Sequence, residues 1–295
     1  MDAADRRALS TAGLVAPAVL AVAAFLYLPI AASGLLAVLD YHPATQTFRF
    51  AGLANIAAVL GGDAFGRAAW NTLVYCLVLV PAQVLVPLAL ALGLREIAGS
   101  RTAPVYYACL FAPTLVSFSV AGAVWLPLLN PINGVLNEML TALGLPPSRW
   151  HTDARAALWV VSLVAFWKTF GLNLVLWYAA LMTIPKEQIE AARIDGAGFF
   201  RRVRDIDIPL ASPTAFFILV TTVFTTLDDI VGIIDVLTGG GPFERTTNLP
   251  YLLWQRGLVF FQFGQASVIA LVTIAIVAIL TWVQFRFVER RVTYA

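Results

Sequence analysis

The stretch Glu190-Ala191-Ala192-Arg193-Ile194-Asp195-Gly196 is a polar loop in a chain that is otherwise mostly apolar. Ten residues after its glycine comes a second short motif, Ile206-Asp207-Ile208-Pro209. Apolar runs lie on both sides of this region. Charged and small residues at fixed spacing between two such runs indicate a surface on which a cytoplasmic partner could dock.

The composition places most of the chain in a membrane. Hydrophobic residues make up 60% of the 295 residues and charged residues 12%, with a mean hydropathy of +0.83. Soluble domains are about half apolar and a quarter charged. The net charge of +2 does not indicate nucleic-acid binding. Cys76 and Cys109 lie in apolar runs and provide neither a disulfide framework nor metal-ligand spacing.

Six runs are long and apolar enough to cross a bilayer, which needs about 20 helical residues. They cover residues 12–39, 70–94, 104–129, 155–182, 211–236 and 264–288. They lack the alternation of barrel strands, so we predict an all-α integral membrane protein with six transmembrane helices and a single domain over residues 1–295. The first run is too long for the apolar core of a signal peptide, so we expect it to be retained.

The distribution of Lys and Arg predicts the orientation. The two termini, the second loop and the fourth loop carry 12 of these residues, whereas the other three loops carry 6. Because cytoplasmic segments are enriched in positive charge, both termini and the fourth loop, about 183–210, are predicted to be cytoplasmic.

Within that loop, Lys186 to Asp195 is predicted to form a helix that Gly196 and Gly198 end. A second short helix is expected from Phe199 to about Asp205. An ordinary solvated hairpin between membrane helices fits the spacing equally well.

The loop resembles the Glu-Ala-Ala motif of permease subunits in binding-protein-dependent ABC importers. That motif reads Glu-Ala-Ala, three residues, Gly, nine residues, Ile, any residue, Leu, Pro, and here Ile208 replaces the Leu. The resemblance implies a type I permease fold and a coupling helix that sits in a cleft of an ATP-binding subunit. The residues it assigns to coupling are Glu190, Ala191, Ala192, Asp195, Gly196, Ile206 and Pro209.

Two further motifs resemble the carbohydrate and polyol branch of this family. They are Leu237-Thr238-Gly239-Gly240-Gly241-Pro242 and the set Asn130-Pro131, Gly134 and Asn137. The stretch Val283-Gln284-Phe285-Arg286-Phe287-Val288-Glu289 resembles the A-type permease subunit of glycerol-3-phosphate importers. The resemblance implies a substrate that is a sugar, or a polyol phosphate such as glycerol-3-phosphate or a glycerophosphodiester.

The family also implies the setting. The expected partners are a second homologous permease subunit that forms a heterodimer, two copies of an ATP-binding subunit, an extracytoplasmic solute-binding protein and the lipid bilayer. The expected location is the bacterial cytoplasmic (inner) membrane. The chain has no P-loop and no nucleophile or metal constellation, so we predict a transport subunit rather than an enzyme, with no cofactor or metal of its own and ATP with Mg²⁺ on the partner subunit. His42 and His151 are predicted to be solvated loop histidines.

Several polar residues occur inside the predicted fourth and fifth helices, where they are costly unless they face a cavity or a partner. Thr222, Thr226 and Asp229 share one helix face by their spacing. Similar positions in carbohydrate permeases line the translocation path. On that basis we assign to the path Trp167, Lys168, Asn173, Thr222, Thr226 and Asp229.

Two alternatives remain open from the sequence. The threonines could hold helices together, and the helix-five aspartates Asp228 and Asp229 could cap that helix or pair with Lys168. The charges of Lys168 and of these aspartates do not decide whether the substrate is a phosphate or a neutral sugar. The chain could also be a self-contained ion-coupled transporter that uses Lys168 and these aspartates, although no inverted repeat is detectable.

Overall fold

The structure is a computed structural model that describes residues 14–43 and 45–289. Contacts divide the chain into two compact units. One comprises the residues up to Gly62 together with Leu252–Ala275, and the other comprises Asp63–Tyr251 together with the residues from Ile276 onward. The single domain over 1–295 stays a prediction. Four arginines that entered the charge count, Arg6, Arg7, Arg290 and Arg291, lie outside the described residues.

The first described element of the first unit is the long helix α1 (Leu14–Ala37), which ends two residues before the predicted boundary. A β-hairpin follows, with β1 (Leu39–His42) antiparallel to β2 (Thr47–Phe50), and then the short helix α2 (Ala54–Leu60). The all-α prediction missed this hairpin. Its strands are rich in aromatic residues, and the cross-strand pair Tyr41 and Phe48 stacks with ring centroids 4.6 Å apart.

The second unit contains most of the remaining helices. In chain order they are α3 (Asp63–Glu96), α4 (Ala103–Leu115), α5 (Phe118–Leu128), α6 (Val135–Ala142), a 3₁₀ turn (Trp150–Thr152), α7 (Ala157–Met182), α8 (Lys186–Ile194), α9 (199–210), α10 (Ser212–Asp228) and α11 (Val231–Thr238). The last two helices of the described chain are α12 (249–259) and α13 (Phe263–Phe287).

Within the described residues, five helical segments are long and apolar enough to cross a membrane: α1, α3, α7, α10 with α11 (Ser212–Thr238), and α13. A sixth is reached only if α4 and α5 count as one span, and these helices meet at an angle of 103°. The prediction of one continuous helix over 104–129 is therefore wrong. Val116 and Ser117 are extended, and the Ser117 hydroxyl accepts a hydrogen bond from the Val120 amide at 3.2 Å to start α5.

The core of the second unit lies between α3, α7 and α10. It contains Leu88 and Leu92 of α3, Leu174 and Trp177 of α7, and Ile218 of α10. The Trp177 indole donates to the carbonyl of Val84 at 3.1 Å and ties α7 to α3. Elsewhere large apolar side chains point outward, as Leu77 and Trp159 do, which is the arrangement expected of a protein surrounded by lipid.

One histidine differs from its prediction. His151 is half-buried and its Nδ1 has no hydrogen-bond partner. Desolvation lowers the pKa of His151, against the opposite effect of a hydrogen bond with the Leu129 backbone. The residue lies in a loop as predicted, but its side chain is only partly solvated. The side chain of His42 lies outside the described residues.

Candidate functional site: a charged loop and a polar interior

The loop between α7 and α10 folds into two short helices. Pro185 precedes α8, and Asp195 ends it. Gly196 has a φ of +76°, which side-chain-bearing residues rarely adopt, and it turns the chain toward α9. The second helix is longer than predicted, because a wide π-helical turn (Val203–Asp207) carries it on to Leu210.

The residues predicted for coupling fall into two groups. Glu190, Ala191, Asp195 and Gly196 are exposed, and Ala192 is half-buried. The other two, Ile206 and Pro209, are half-buried; Ile206 packs against the core of α3, α7 and α10. The first half of the motif can therefore meet a partner, whereas the second half anchors the loop to the membrane helices.

The exposed side of the loop is apolar as well as charged. Ile194 is 87% exposed, Phe200 is 85% exposed, and Phe199 is 44% exposed. Apolar side chains at this level of exposure in a polar loop are typical of a protein–protein contact.

Ion pairs that the sequence analysis did not predict hold the loop against the end of α3. Arg95 donates two hydrogen bonds to Asp207, Nη1 to Oδ1 at 2.7 Å and Nη2 to Oδ2 at 2.8 Å. The adjacent Glu96 accepts from Arg202 at 2.9 Å and lies 3.6 Å from Arg193. The only sequence signal was that opposite charges occur at both segments. Nothing in the spacing pairs residues 112 positions apart.

A polar cluster lies inside the bundle. The Asn173 amide donates to the Gln83 carbonyl at 3.1 Å and to the Thr222 hydroxyl at 3.2 Å. The Gln83 amide donates to the hydroxyl of Thr169. Asn173, Thr222 and Gln83 are all buried, so two of the six predicted path residues hold α3, α7 and α10 together in this structure.

Lys168 provides a hydrogen-bond donor at the break between α4 and α5. Its ammonium donates to the carbonyl of Thr114 at 2.9 Å and lies 4.7 Å from the centre of the Phe118 ring. Non-helical backbone at membrane depth is tolerated only where its polar groups find partners within the protein. Lys168 therefore supplies one of the donors that this break requires.

The other predicted path residues have different environments. Trp167 is half-buried and packs edge-on against Trp125 with ring centroids 5.6 Å apart. Thr226 is buried in α10. Asp229 is half-buried and lies where α10 ends before α11 begins, so the aspartates are at an interruption of the span rather than at its outer end.

The glycine-rich motif forms a tight turn after α11. Gly239 and Gly240 have φ values of +58° and +85°, and a Cβ on Gly240 would lie 2.5 Å from the Thr247 hydroxyl. Thr246 and Thr247, which follow in the same loop, are 0% and 1% exposed. Asn71 of α3 donates to the Thr247 carbonyl at 2.9 Å, and Tyr75 donates to the Thr246 carbonyl at 3.1 Å. The N-terminal half of α3 thus holds this loop.

A set of apolar helices long enough to cross a membrane, with a structured polar loop between two of them, defines an integral membrane protein. The sequence profile of the "Binding-protein-dependent transport system inner membrane component" family matches residues 51–294, and the chain belongs to this family. Two similar relatives carry the name "sn-glycerol-3-phosphate transport system permease protein UgpA". The protein from Yersinia enterocolitica is 32% identical over 95% of this chain and 94% of its own length. The protein from Agrobacterium fabrum is 34% identical over 95% of both chains.

Solved structures agree on the fold. A bacterial ABC transporter for import of the acidic polysaccharide alginate contains a chain with a TM-score of 0.82 and 21% identity, covering 97% of this chain and 96% of that one. A chain of the MetNI methionine ABC transporter reaches 0.56 with 16% identity, covering 77% of this chain and 96% of that one. The chain is a multi-pass inner-membrane permease with the type I ABC importer fold. The family membership does not favour a self-contained ion-coupled transporter.

Proposed function

We propose that the chain is one of two homologous permease subunits of an ATP-driven importer for a sugar, or for a polyol phosphate such as glycerol-3-phosphate or a glycerophosphodiester. The observation that carries this proposal is 32–34% identity to glycerol-3-phosphate permeases over nearly the whole length of both proteins. Similarity over the full length, rather than over one motif, supports a shared substrate class as well as a shared fold.

The partners belong to the same proposal. The exposed Ile194 and Phe200 of the loop between α7 and α10 support docking in a cleft of an ATP-binding subunit, of which the complex would hold two copies. ATP and Mg²⁺ would bind there, with no cofactor on this chain. An extracytoplasmic solute-binding protein would dock on the opposite face, and the second permease subunit would complete a heterodimer.

The topology is part of the same proposal. With α4 and α5 counted as one broken span, the chain crosses the membrane six times as one permease domain and both termini are cytoplasmic. The coupling loop (183–210) and the glycine-rich turn then lie at opposite ends of the span Ser212–Thr238.

Transport would proceed by alternating access. Closure of the two ATP-binding subunits displaces the coupling loops and opens the permease pair toward the binding protein, and hydrolysis returns it to the inward-facing state. This chain supplies no covalent chemistry; its task is to convert a displacement of the loop into a rearrangement of the helices.

The substrate path is proposed to run along Trp167, Lys168, Asn173, Thr222, Thr226 and Asp229. In this structure the half-buried members, Trp167 and Asp229, are the ones that a substrate could reach from the surface of the chain. The other four, Lys168, Asn173, Thr222 and Thr226, are buried. They support the two accessible residues and would have to move apart in another state of the transport cycle before a substrate could reach them.

Reconstitution with the partner subunits encoded beside this chain tests the proposal. Liposomes that contain the complex and are loaded with ATP are expected to take up labelled glycerol-3-phosphate, a glycerophosphodiester or a sugar. This uptake should occur only when the binding protein is present. Glu190→Lys is expected to abolish uptake. The proposal fails if the chain purifies without an ATP-binding subunit, or if it transports alone.

A further inference from the structure

The cytoplasmic end of α3 makes a contact that is unusual in its burial and geometry. The Asp207 side chain is 0% exposed and the Arg95 side chain 10% exposed, and two parallel hydrogen bonds join them. A bidentate guanidinium–carboxylate pair fixes both the distance and the orientation of the elements that carry it. Asp207 is the last residue of the π-helical turn in α9.

The neighbouring residue repeats the contact with the charges exchanged. Glu96 accepts from Arg202, whose side chain is 7% exposed, and lies close to Arg193. The end of α3 thus carries the cation Arg95 followed by the anion Glu96. In α9 their partners are the anion Asp207 and the cation Arg202. Sliding the helices by a few residues would place like charges together, so the crossed pairs fix the register.

The other end of α3 is also fixed. Asn71 and Tyr75 hold the loop after the glycine-rich turn through the carbonyls of Thr247 and Thr246. The helix has 34 residues, which corresponds to a length of roughly 50 Å. One continuous helix therefore contacts the coupling loop at one end. At its other end it contacts the loop that contains Thr246 and Thr247, here called the outer loop.

We propose that α3 transmits the movement of the coupling loop to the outer loop, and that Arg95 and Asp207 are the positioning residues that fasten the loop to it. The chain itself connects the loop only to α7 and α10. The crossed ion pairs also connect the loop to α3, so that a displacement of α9 moves α3, α7 and α10 together. This inference rests on the proposed function, because it requires an ATP-binding subunit that displaces the loop.

The test compares uptake per ATP hydrolysed in the reconstituted complex. Asp207→Asn and Arg95→Gln are each expected to lower this ratio at least about 10-fold while ATP hydrolysis continues. The exchanged pair Arg95→Asp with Asp207→Arg is expected to recover at least about half of the lost coupling. Arg101→Gln removes an exposed arginine from the turn that follows α3 and should stay within about two-fold of the wild type.

An unchanged ratio in Asp207→Asn would overturn the inference, as would an exchanged pair no better than either single variant. If these variants do not assemble, Arg95→Lys decides, because it keeps a positive charge beside Asp207 but cannot make the two parallel hydrogen bonds of a guanidinium. The Arg95→Lys complex is expected to assemble, to hydrolyse ATP and to show a lowered ratio of uptake to ATP hydrolysed. An Arg95→Lys complex that couples as well as the wild type contradicts the inference.

The two proposals fail in different ways. A wild-type chain that brings down no ATP-binding subunit contradicts the proposed function. A wild-type complex that transports normally, and whose Asp207→Asn variant couples equally well, contradicts only the role of α3.

Discussion

Gly171 lies where α7 passes the break between α4 and α5. A Cβ at this position would lie 2.5 Å from the Thr114 hydroxyl, 2.8 Å from the Leu110 carbonyl oxygen and 3.1 Å from the Phe111 Cα. One turn earlier on α7, Lys168 donates to the carbonyl of Thr114. The absence of a side chain at Gly171 thus allows the close approach that lets Lys168 reach the break.

Gly171→Ala is expected to destabilise the protein by about 1–3 kcal/mol, because backbone atoms of α4 cannot move aside as a flexible side chain would. Thermal unfolding in detergent, followed by tryptophan fluorescence, measures the effect. Gly93→Ala in α3 is the matched control: nothing lies within 4 Å of its added Cβ. That control should be neutral or gain up to about 1 kcal/mol from helix propensity. Equal effects of the two substitutions would show that the close approach is not needed.

The sequence could place Lys168 inside an apolar helix but could not identify its hydrogen-bond partner. A lysine in an apolar run must have a partner, and a negatively charged substrate was one reasonable candidate. The observed partner is a backbone carbonyl 54 residues away, which appears only once α7 packs against the break. For the same reason Asn173 and Thr222 could be placed on helix faces from their spacing, while their contact with each other and with Gln83 could not.

At the scale of elements, the sequence predicts the spans well and their interruptions poorly. Hydropathy reports whether a segment is apolar, and both α4 and α5 are apolar, so the 103° bend between them leaves no hydropathy signal. The extended Val116 and Ser117 are visible only in the structure. The coupling loop is the opposite case, because its glycines and its proline mark helix boundaries directly, and α8 begins and ends within one residue of the prediction.

The apolar surface of that loop gives an element-scale prediction. Phe200→Ser is expected to weaken retention of the ATP-binding subunit at least about 10-fold, since an exposed aromatic side chain at the centre of a contact is typical of a binding hot spot. Phe243→Ser is the matched control, because Phe243 has the same residue type and the same 85% exposure but lies in the loop after the glycine-rich turn. Co-purification from detergent extracts measures both. Equal loss in the two variants would contradict docking at Phe200.

At the scale of the whole molecule, the asymmetry of Lys and Arg predicts which end faces the cytoplasm. Two of these residues do more than set the orientation, because Arg95 and Arg202 are also largely buried partners of Asp207 and Glu96. Charge counting could not show this second role, since it treats every cation at a boundary as solvated. The sequence thus predicts the orientation, whereas the connection between the coupling loop and α3 required the structure.

The orientation can be tested with the same two phenylalanines. They lie on either side of the segment Ser212–Thr238, whose 27 residues span roughly 40 Å as helix, more than the hydrocarbon thickness of about 30 Å. In chains with Cys76→Ala and Cys109→Ala, expressed without an ATP-binding subunit, Phe243→Cys should react with a membrane-impermeant maleimide in intact spheroplasts. Phe200→Cys should react only after permeabilisation. The reverse order, or equal labelling of both before permeabilisation, would contradict the proposed topology and with it the cytoplasmic placement of the coupling loop.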